Sequence, residues 1–340
     1  MGARIGQNTV KFSNPPVLLS TASVAGQSEK EGRYGDTFDI VINDDLWGEK
    51  TYELAERKML LEAVNAALIK QSLKPEDISY LIGGDLLNQI ISSGFAARTL
   101  GIPFFGLYGA CSTMSESLLL GSMIVDGGFA QYVVCATSSH FATAERQFRN
   151  PLELGTPKTP TSQNTVTGAG AVVLSSARDA SMPAITYGTA GKVIDLGIND
   201  VNNLGAAMAP AAADTIINHL EDTGRAPSYY DYILTGDLGM FGSELLVKLA
   251  TENGYDISDN HLDCGALIYS GNELMKCGGS GCGCSASMLC GYFYNQLKSG
   301  KIKRLLFVAT GALHSPTSTL QKETIPSIAH AAAIETGCVL

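Results

Sequence analysis

Two segments of this chain match each other without a gap: ACSTMSESLLLGSMIVDGGFAQYVVCATSS (110–139) and GCSASMLCGYFYNQLKSGKIKRLLFVATGA (283–312). Cys111 falls on Cys284, Ser112 on Ser285, Gly127 on Gly300 and Thr137 on Thr310. Ahead of them, in the same order, YLIGGDL (80–86) matches YILTGDL (232–238). A repeat in two ordered pieces implies two copies of one supersecondary unit stacked on a shared core. Each copy reads as a turn of small residues, a helix closed by glycine, and then a buried strand. Residues 51–70 add a helix with Leu54, Leu61, Val64 and Leu68 on one face, ended by LKPED before the apolar run 78–82. A second helix-to-strand unit runs from about Ala211 to Leu234. The expected fold is α/β, with two similar halves (1–180 and 181–340), buried sheets and helices in layers. Residues 146–167, rich in Pro, Gly, Thr, Ser and Asn, break the pattern and are expected to form a long loop or lid near the junction.

With 45% hydrophobic and 16% charged residues, the 340-residue chain has the composition of a well-packed globular protein. A net charge of −10 and a pI near 5.0 argue against a nucleic-acid partner. The N-terminal MGARIGQNTVKF carries no apolar core before a cleavage site, so the expectation is a cytoplasmic chain. The most apolar stretch, Leu118 to Cys135, is interrupted by Asp126, Gly127 and Gly128 and falls short of the roughly 18 to 20 residues of a membrane span. Membrane association is expected to be peripheral. Among eight cysteines, Cys277, Cys282, Cys284 and Cys290 lie close together without the paired CxxC of a zinc ribbon. They read as thiols packed in a glycine-rich turn, and neither a metal nor an organic cofactor is expected.

Cys111 stands in GLYGACSTMSE, between an apolar stretch and a helix. A thiol entering a helix N-terminus feels unpaired N–H groups that favour thiolate, which suits a nucleophile; a small residue in a tight turn is the alternative. His140 follows the strand 132–137, at the end where α/β proteins place their sites, and reads as a ligand for a carboxylate or as a solvated loop histidine. Asp237 follows a buried strand and reads as a calcium or ligand contact or as a helix cap. Gln163, Asn164 and Thr165 are candidate pocket-lining residues, and Arg146, Arg149 and Lys158 are the nearby cations for an anionic ligand.

GAC before a long helix, a strand ending in ATSSH, and TVTGAGAVVLSS (165–176) resemble the active-cysteine and "DGAGAVVL" segments of β-ketoacyl synthase III and other thiolase-superfamily condensing enzymes. DYILTGDLGMFG (231–242) occupies the place of that family's histidine segment, and GSGCGCSASML (279–289) that of its "GNTSAAS" asparagine segment. The resemblance implies a thiolase-like fold and a homodimer joined through the strand near Cys135. It also exposes two departures. The histidine position falls on Gly236 or Asp237, and the asparagine position on Cys282. Neither glycine nor a thiol replaces a neutral imidazole or a carboxamide as a donor to an oxyanion.

The chain as a whole resembles the thiolase-like spore proteins of the SpoVA system of spore-forming bacteria. That resemblance implies binding of dipicolinic acid, alone or as its calcium chelate, in a cytoplasmic (forespore) protein working beside SpoVA membrane proteins. The expected site comprises Cys111 as a vestigial nucleophile with His140, Asn164, Arg149, Gly236, Asp237 and Cys282. The rival expectations are an acyl transferase or hydrolase using Cys111 with His140 as base, and an adaptor with a vestigial cavity.

Overall fold

The structure is a computed structural model that describes residues 2–148, 158–275 and 277–337. The apolar runs of the first half become β1 (Val17–Ala25), β2 (Tyr80–Gly84), β3 (Phe104–Gly106), β4 (Tyr132–Ser139) and β5 (Gly168–Ser175). Those of the second half become β6 (Ala184–Thr189), β7 (Tyr232–Thr235), β8 (His261–Asp263), β9 (Arg304–Ala312) and β10 (Ser327–Glu335). All ten belong to one mixed sheet, in the order β8-β7-β9-β10-β6-β1-β5-β4-β2-β3.

The repeat in the sequence is a repeat in this topology. Read outward from the middle, β1-β5-β4-β2-β3 is matched by β6-β10-β9-β7-β8. In the first half β2 runs parallel to β3 and β4, and β5 runs antiparallel to both β4 and β1. In the second, β7 runs parallel to β8 and β9, and β10 runs antiparallel to both β9 and β6. The halves meet where Ala184 of β6 pairs with Val17 of β1.

Helices cover the sheet. α1 (Tyr52–Ile69) is capped by the Thr51 hydroxyl, which accepts from the Leu54 N–H at 3.3 Å. Its buried face is Ala55, Met59, Leu60, Ala63, Val64 and Leu68 together with Glu56, whereas Leu54 and Leu61 lie at the rim. The difference from the sequence reading is one of helix rotation: the face toward the sheet is centred on Ala55, Met59, Ala63 and Ala67, so Leu54 and Leu61 fall at its margin. α2 (Thr113–Asp126) leads into β4, while α3 (Phe141–Phe148) follows it. α4 (Leu204–Thr223) begins earlier than read: the helix runs on through Pro210, and the Asn203 side chain caps its start by accepting the Ala206 N–H at 3.3 Å. α5 (Gly239–Glu252) follows β7. α6 (Cys282–Met288) continues through a π turn (Leu289–Phe293) to Lys298 and leads into β9, as α2 leads into β4.

Two expectations need adjustment. The strand carrying Cys135 does not lie at an edge: Cys135 is paired with Ile82 of β2 on one side and Val172 of β5 on the other. The open edge of the first half is β3, whose Phe105 is 50% exposed. Of the expected loop at 146–167, Arg146–Phe148 complete α3, and Asn164–Thr165 pair in parallel with Gly279–Ser280; residues 149–157 lie outside the described residues. The seven described cysteines are all buried. Among the described residues no helix is long and apolar enough to cross a membrane.

Candidate functional site

The turns that follow the parallel strands of both halves converge on one side of the sheet, where open α/β sheets bind their ligands. There they enclose a cavity of about 40 Å³. Its walls are Leu86 after β2, Tyr108 and Cys111 after β3, Phe148 of α3 and Leu204 of α4. Polar groups enter from Thr165, Ser280 and His314, which follows β9. Tyr108, 44% exposed, stands at the mouth, and the His314 ring lies 5.4 Å from that of Phe148.

Cys111 sits on a short 3-10 turn, Ala110–Ser112, that runs into α2. The turn is fixed by its own hydroxyls. Ser112 Oγ donates to the Gly109 carbonyl at 2.7 Å, Thr113 Oγ1 donates to the Ala110 carbonyl at 2.7 Å, and the Gly109 N–H donates to Thr113 Oγ1 at 3.1 Å. Ala110 is held at φ 49°, a left-handed conformation that costs an alanine about 1 to 2 kcal/mol. β9 presses on this turn from the second half. A Cβ at Gly311 would come within 2.1 Å of the Gly109 carbonyl and 3.2 Å of the Cys111 nitrogen, so only glycine allows the approach. Cys111 shares a small apolar cluster with Leu86, Ala110, Ala144 and Cys282.

The positions that the resemblance sets against the condensing enzymes' histidine and asparagine carry neither group, and the first has no room for a side chain. At Gly236 a Cβ would lie 2.8 Å from the Ser285 Cβ and 3.2 Å from the Ala309 Cα. Its neighbour Asp237 is wholly buried; the Gly281 N–H donates to its Oδ1 at 3.0 Å, and Gln163 Nε2 donates to its backbone carbonyl. Burial, and then the nearby Asp263, raise its pKa well above the ordinary carboxylate value, favouring the neutral acid. Its repeat partner Asp85 is also buried and also raised, accepting from the Leu87 N–H and from the N–H and hydroxyl of Ser93. Cys282 is fully buried behind Cys111, its thiol pushed up by burial and next by the charge of Cys111.

Of the residues expected to form a site, Cys111 lines the cavity and Cys282 packs against it. His140 does not reach it. The ring is fully buried, its Nε2 donates to the Asp45 carbonyl at 2.8 Å, and its Nδ1 accepts the Ala142 N–H at 3.1 Å. Burial lowers its pKa, so it is a neutral clamp joining the loop at Asp45 to the start of α3. Asn164 is turned to Lys158, whose ammonium donates to its Oδ1, and the adjacent Thr165 lines the cavity instead. Gly236 and Asp237 lie beneath the cavity wall rather than in it. Arg149 lies outside the described residues. The cavity also takes in Tyr108, Ser280 and His314, which were outside the expected set. Their signal is positional: Tyr108 precedes GAC, Ser280 precedes the second copy of the turn, and His314 follows the second copy of the strand. Among the described residues no group of three His, Cys, Asp or Glu side chains is arranged to hold a metal.

The fold is shared with solved condensing enzymes. Superposition on 3-oxoacyl-[acyl-carrier-protein] synthase III from Aquifex aeolicus VF5 gives a TM-score of 0.57 at 15% identity, over 94% of this chain and 99% of that one. OleA from Xanthomonas campestris, with cerulenin bound, gives 0.59 at 15% identity over 97% of each chain. These likenesses establish a thiolase-like fold. In sequence the chain is 48% identical over 330 residues to stage V sporulation protein AD of Bacillus subtilis (strain 168), covering 97% of both. The family model for stage V sporulation protein AD matches residues 6–335, and the chain belongs to that family.

Proposed function

We propose that this sporulation protein uses the cavity at Cys111 to bind dipicolinate, alone or as its calcium chelate, and that it serves the movement of that ligand into and out of the spore beside SpoVA membrane proteins. The observation that carries this reading is the combination at one place of a preserved cavity and a disabled catalytic set. The cavity keeps Cys111, Thr165, Ser280 and His314, while Gly236 is closed to any side chain and Cys282 is buried where a carboxamide is needed. A mostly apolar slot with a few convergent polar groups suits a flat aromatic acid. The calcium would enter with the ligand, since Asp237 is buried and favours its neutral form.

At about 40 Å³ the cavity holds roughly three waters, so an aromatic dicarboxylate needs Tyr108 and Phe148 to swing outward at the mouth. Ser280 and His314 then supply hydrogen bonds to a carboxylate. Hydrogen bonds to a charged group are worth about 1.5 to 3 kcal/mol each, so removing one weakens binding roughly 10-fold to 150-fold. Calorimetric titration with dipicolinate, with and without calcium, tests this on the wild type and on separate Cys111→Ala, Ser280→Ala and His314→Ala variants. Binding that is absent in the wild type, or unchanged in all three folded variants, overturns it.

A second reading, acyl transfer or hydrolysis at Cys111, is favoured by one observation: the His314 imidazole lines the same cavity as Cys111, which His140 does not reach. A stoichiometric acyl-cysteine on Cys111 would establish it. The same arrangement is compatible with a homodimer at the inner spore membrane, joined along β3.

A further inference from the structure

We propose that Cys111 and Cys282 form a reversible redox pair, with Cys111 the thiol that a peroxide oxidises and Cys282 the thiol that resolves it into an intramolecular disulfide. The two residues come from corresponding turns of the two halves. They pack in one small cluster with Leu86, Ala110 and Ala144, and the turn at 110–112 and α6 approach within 8 Å between Cα atoms. A disulfide needs Cα atoms roughly 4.4 to 6.8 Å apart, which neighbouring residues of a packed cluster reach with small shifts.

Access divides the roles. Cys111 is 8% exposed and lines the cavity, whereas Cys282 is fully buried behind it. A cavity of about 40 Å³ is narrow for a large oxidant but admits hydrogen peroxide, which has two heavy atoms. A peroxide-sensitive thiol set next to a resolving cysteine is the arrangement of redox sensors. Cys284 is excluded as the partner because its side chain belongs to the main core and its Sγ donates to the Gly236 carbonyl at 3.3 Å.

The chemistry balances with hydrogen peroxide as the only oxidant. Cys111 sulfur attacks one peroxide oxygen; the S–O bond forms, the O–O bond breaks, and the departing hydroxide takes the thiol proton as water. Cys282 sulfur then attacks the sulfenic sulfur of Cys111. The S–S bond forms, the S–O bond breaks, and the leaving hydroxide takes the Cys282 proton as a second water. Two thiols are oxidised and one peroxide is reduced to two waters. The pair would tie the two halves together behind the cavity wall whatever the cavity binds.

The experiment exposes the folded protein to stoichiometric hydrogen peroxide, blocks remaining thiols with an alkylating agent, and maps the unreduced digest by mass spectrometry. The expected product is a linked peptide pair joining Cys111 to Cys282 within one chain, two hydrogens lighter than the sum of its parts and cleaved by dithiothreitol. In Cys282→Ala the linked species falls about 10-fold or more, and Cys111 gains oxygen instead. Cys284→Ala keeps the wild-type link. Wild-type protein in which Cys111 carries only added oxygen, stays fully alkylatable, or links to Cys284 overturns the proposal; that reading needs no variant to fold.

Discussion

The phenol of Tyr269 donates its hydrogen to Oε1 of Glu29, joining a residue of the second half to one of the first across 240 positions of sequence. The same oxygen accepts the Thr167 N–H at 3.1 Å. Glu29 is buried, and burial raises its pKa from 4.5 to about 7 despite these hydrogen bonds. The folded chain therefore holds a proton here that the unfolded chain releases between about pH 4.5 and 7. Stability from this group is present below the unfolded pKa and is lost as pH rises through the folded one. The loss amounts to about 3 kcal/mol on full titration. Glu29→Gln removes the titration, so the stability of the wild type relative to this variant should fall across that range. Urea melts of both proteins at pH 5, 6, 7 and 8 check it (pH values chosen about the shift); a constant difference would show that Glu29 does not titrate there.

Acetyl-CoA and malonyl-CoA are expected to leave Cys111 unmodified, with no coenzyme A released above background. Loss of one oxyanion donor typically costs about 100-fold to 1000-fold in rate, and the two side-chain donors of the condensing enzymes have no counterpart at Gly236 and Cys282. Intact-protein mass spectrometry after incubation gives the answer. A stoichiometric adduct would move the acyl-transfer reading ahead of ligand binding.

β3 is a short edge strand with half-exposed Phe105 and an open row of backbone groups. Such an edge is a template for pairing with a second chain. The expected state is a dimer joined there, and Phe105→Asp should shift it to monomer by placing a charge in the seam. Light scattering at micromolar concentration reads the mass of both forms; a monomeric wild type removes the dimer, and a dimeric variant moves the interface away from β3.

The sequence exposes the duplication because the repeated turns need the same small residues in both halves, so YLIGGDL and YILTGDL stay legible around Asp85 and Asp237. Cys111 is legible for the same reason. What it hides is direction. His140 and His314 follow corresponding strands, yet His140 is drawn down by the Asp45 carbonyl and His314 lines the cavity. The loop at Asp45 has no counterpart in the motif that flags the histidine. Asp237 illustrates the same limit: a polar residue after a strand reads as a pocket residue, and the Gly281 N–H that holds it inward comes from 44 positions away. The buried Glu56 was also outside the pattern, since its partners, the hydroxyls of Ser138 and Thr143, lie on β4 and α3.

Restoring a histidine at Gly236 should not restore catalysis, because the position has no room for a Cβ. The atoms it would meet, Ser285 Cβ at 2.8 Å and Ala309 Cα at 3.2 Å, belong to a short side chain and a strand backbone that cannot rotate away. Gly236→Ala is therefore expected to destabilise the fold by about 1 to 3 kcal/mol, as overpacking a tight interior does. Gly236→His should cost more, since an imidazole must also be housed beside Ser285 and Ala309. The clash is local and so has a local remedy. Ser285→Gly removes the nearer obstacle, and the Gly236→Ala/Ser285→Gly double variant should recover part of the loss, giving a coupling energy of about 0.5 kcal/mol or more where independent sites would simply add. Denaturant melts of the two single variants and the double variant complete the cycle. If Gly236→Ala is as stable as the wild type, the wall is softer than the packing implies, and the absence of the imidazole would then reflect the residue alone rather than the closure of its site.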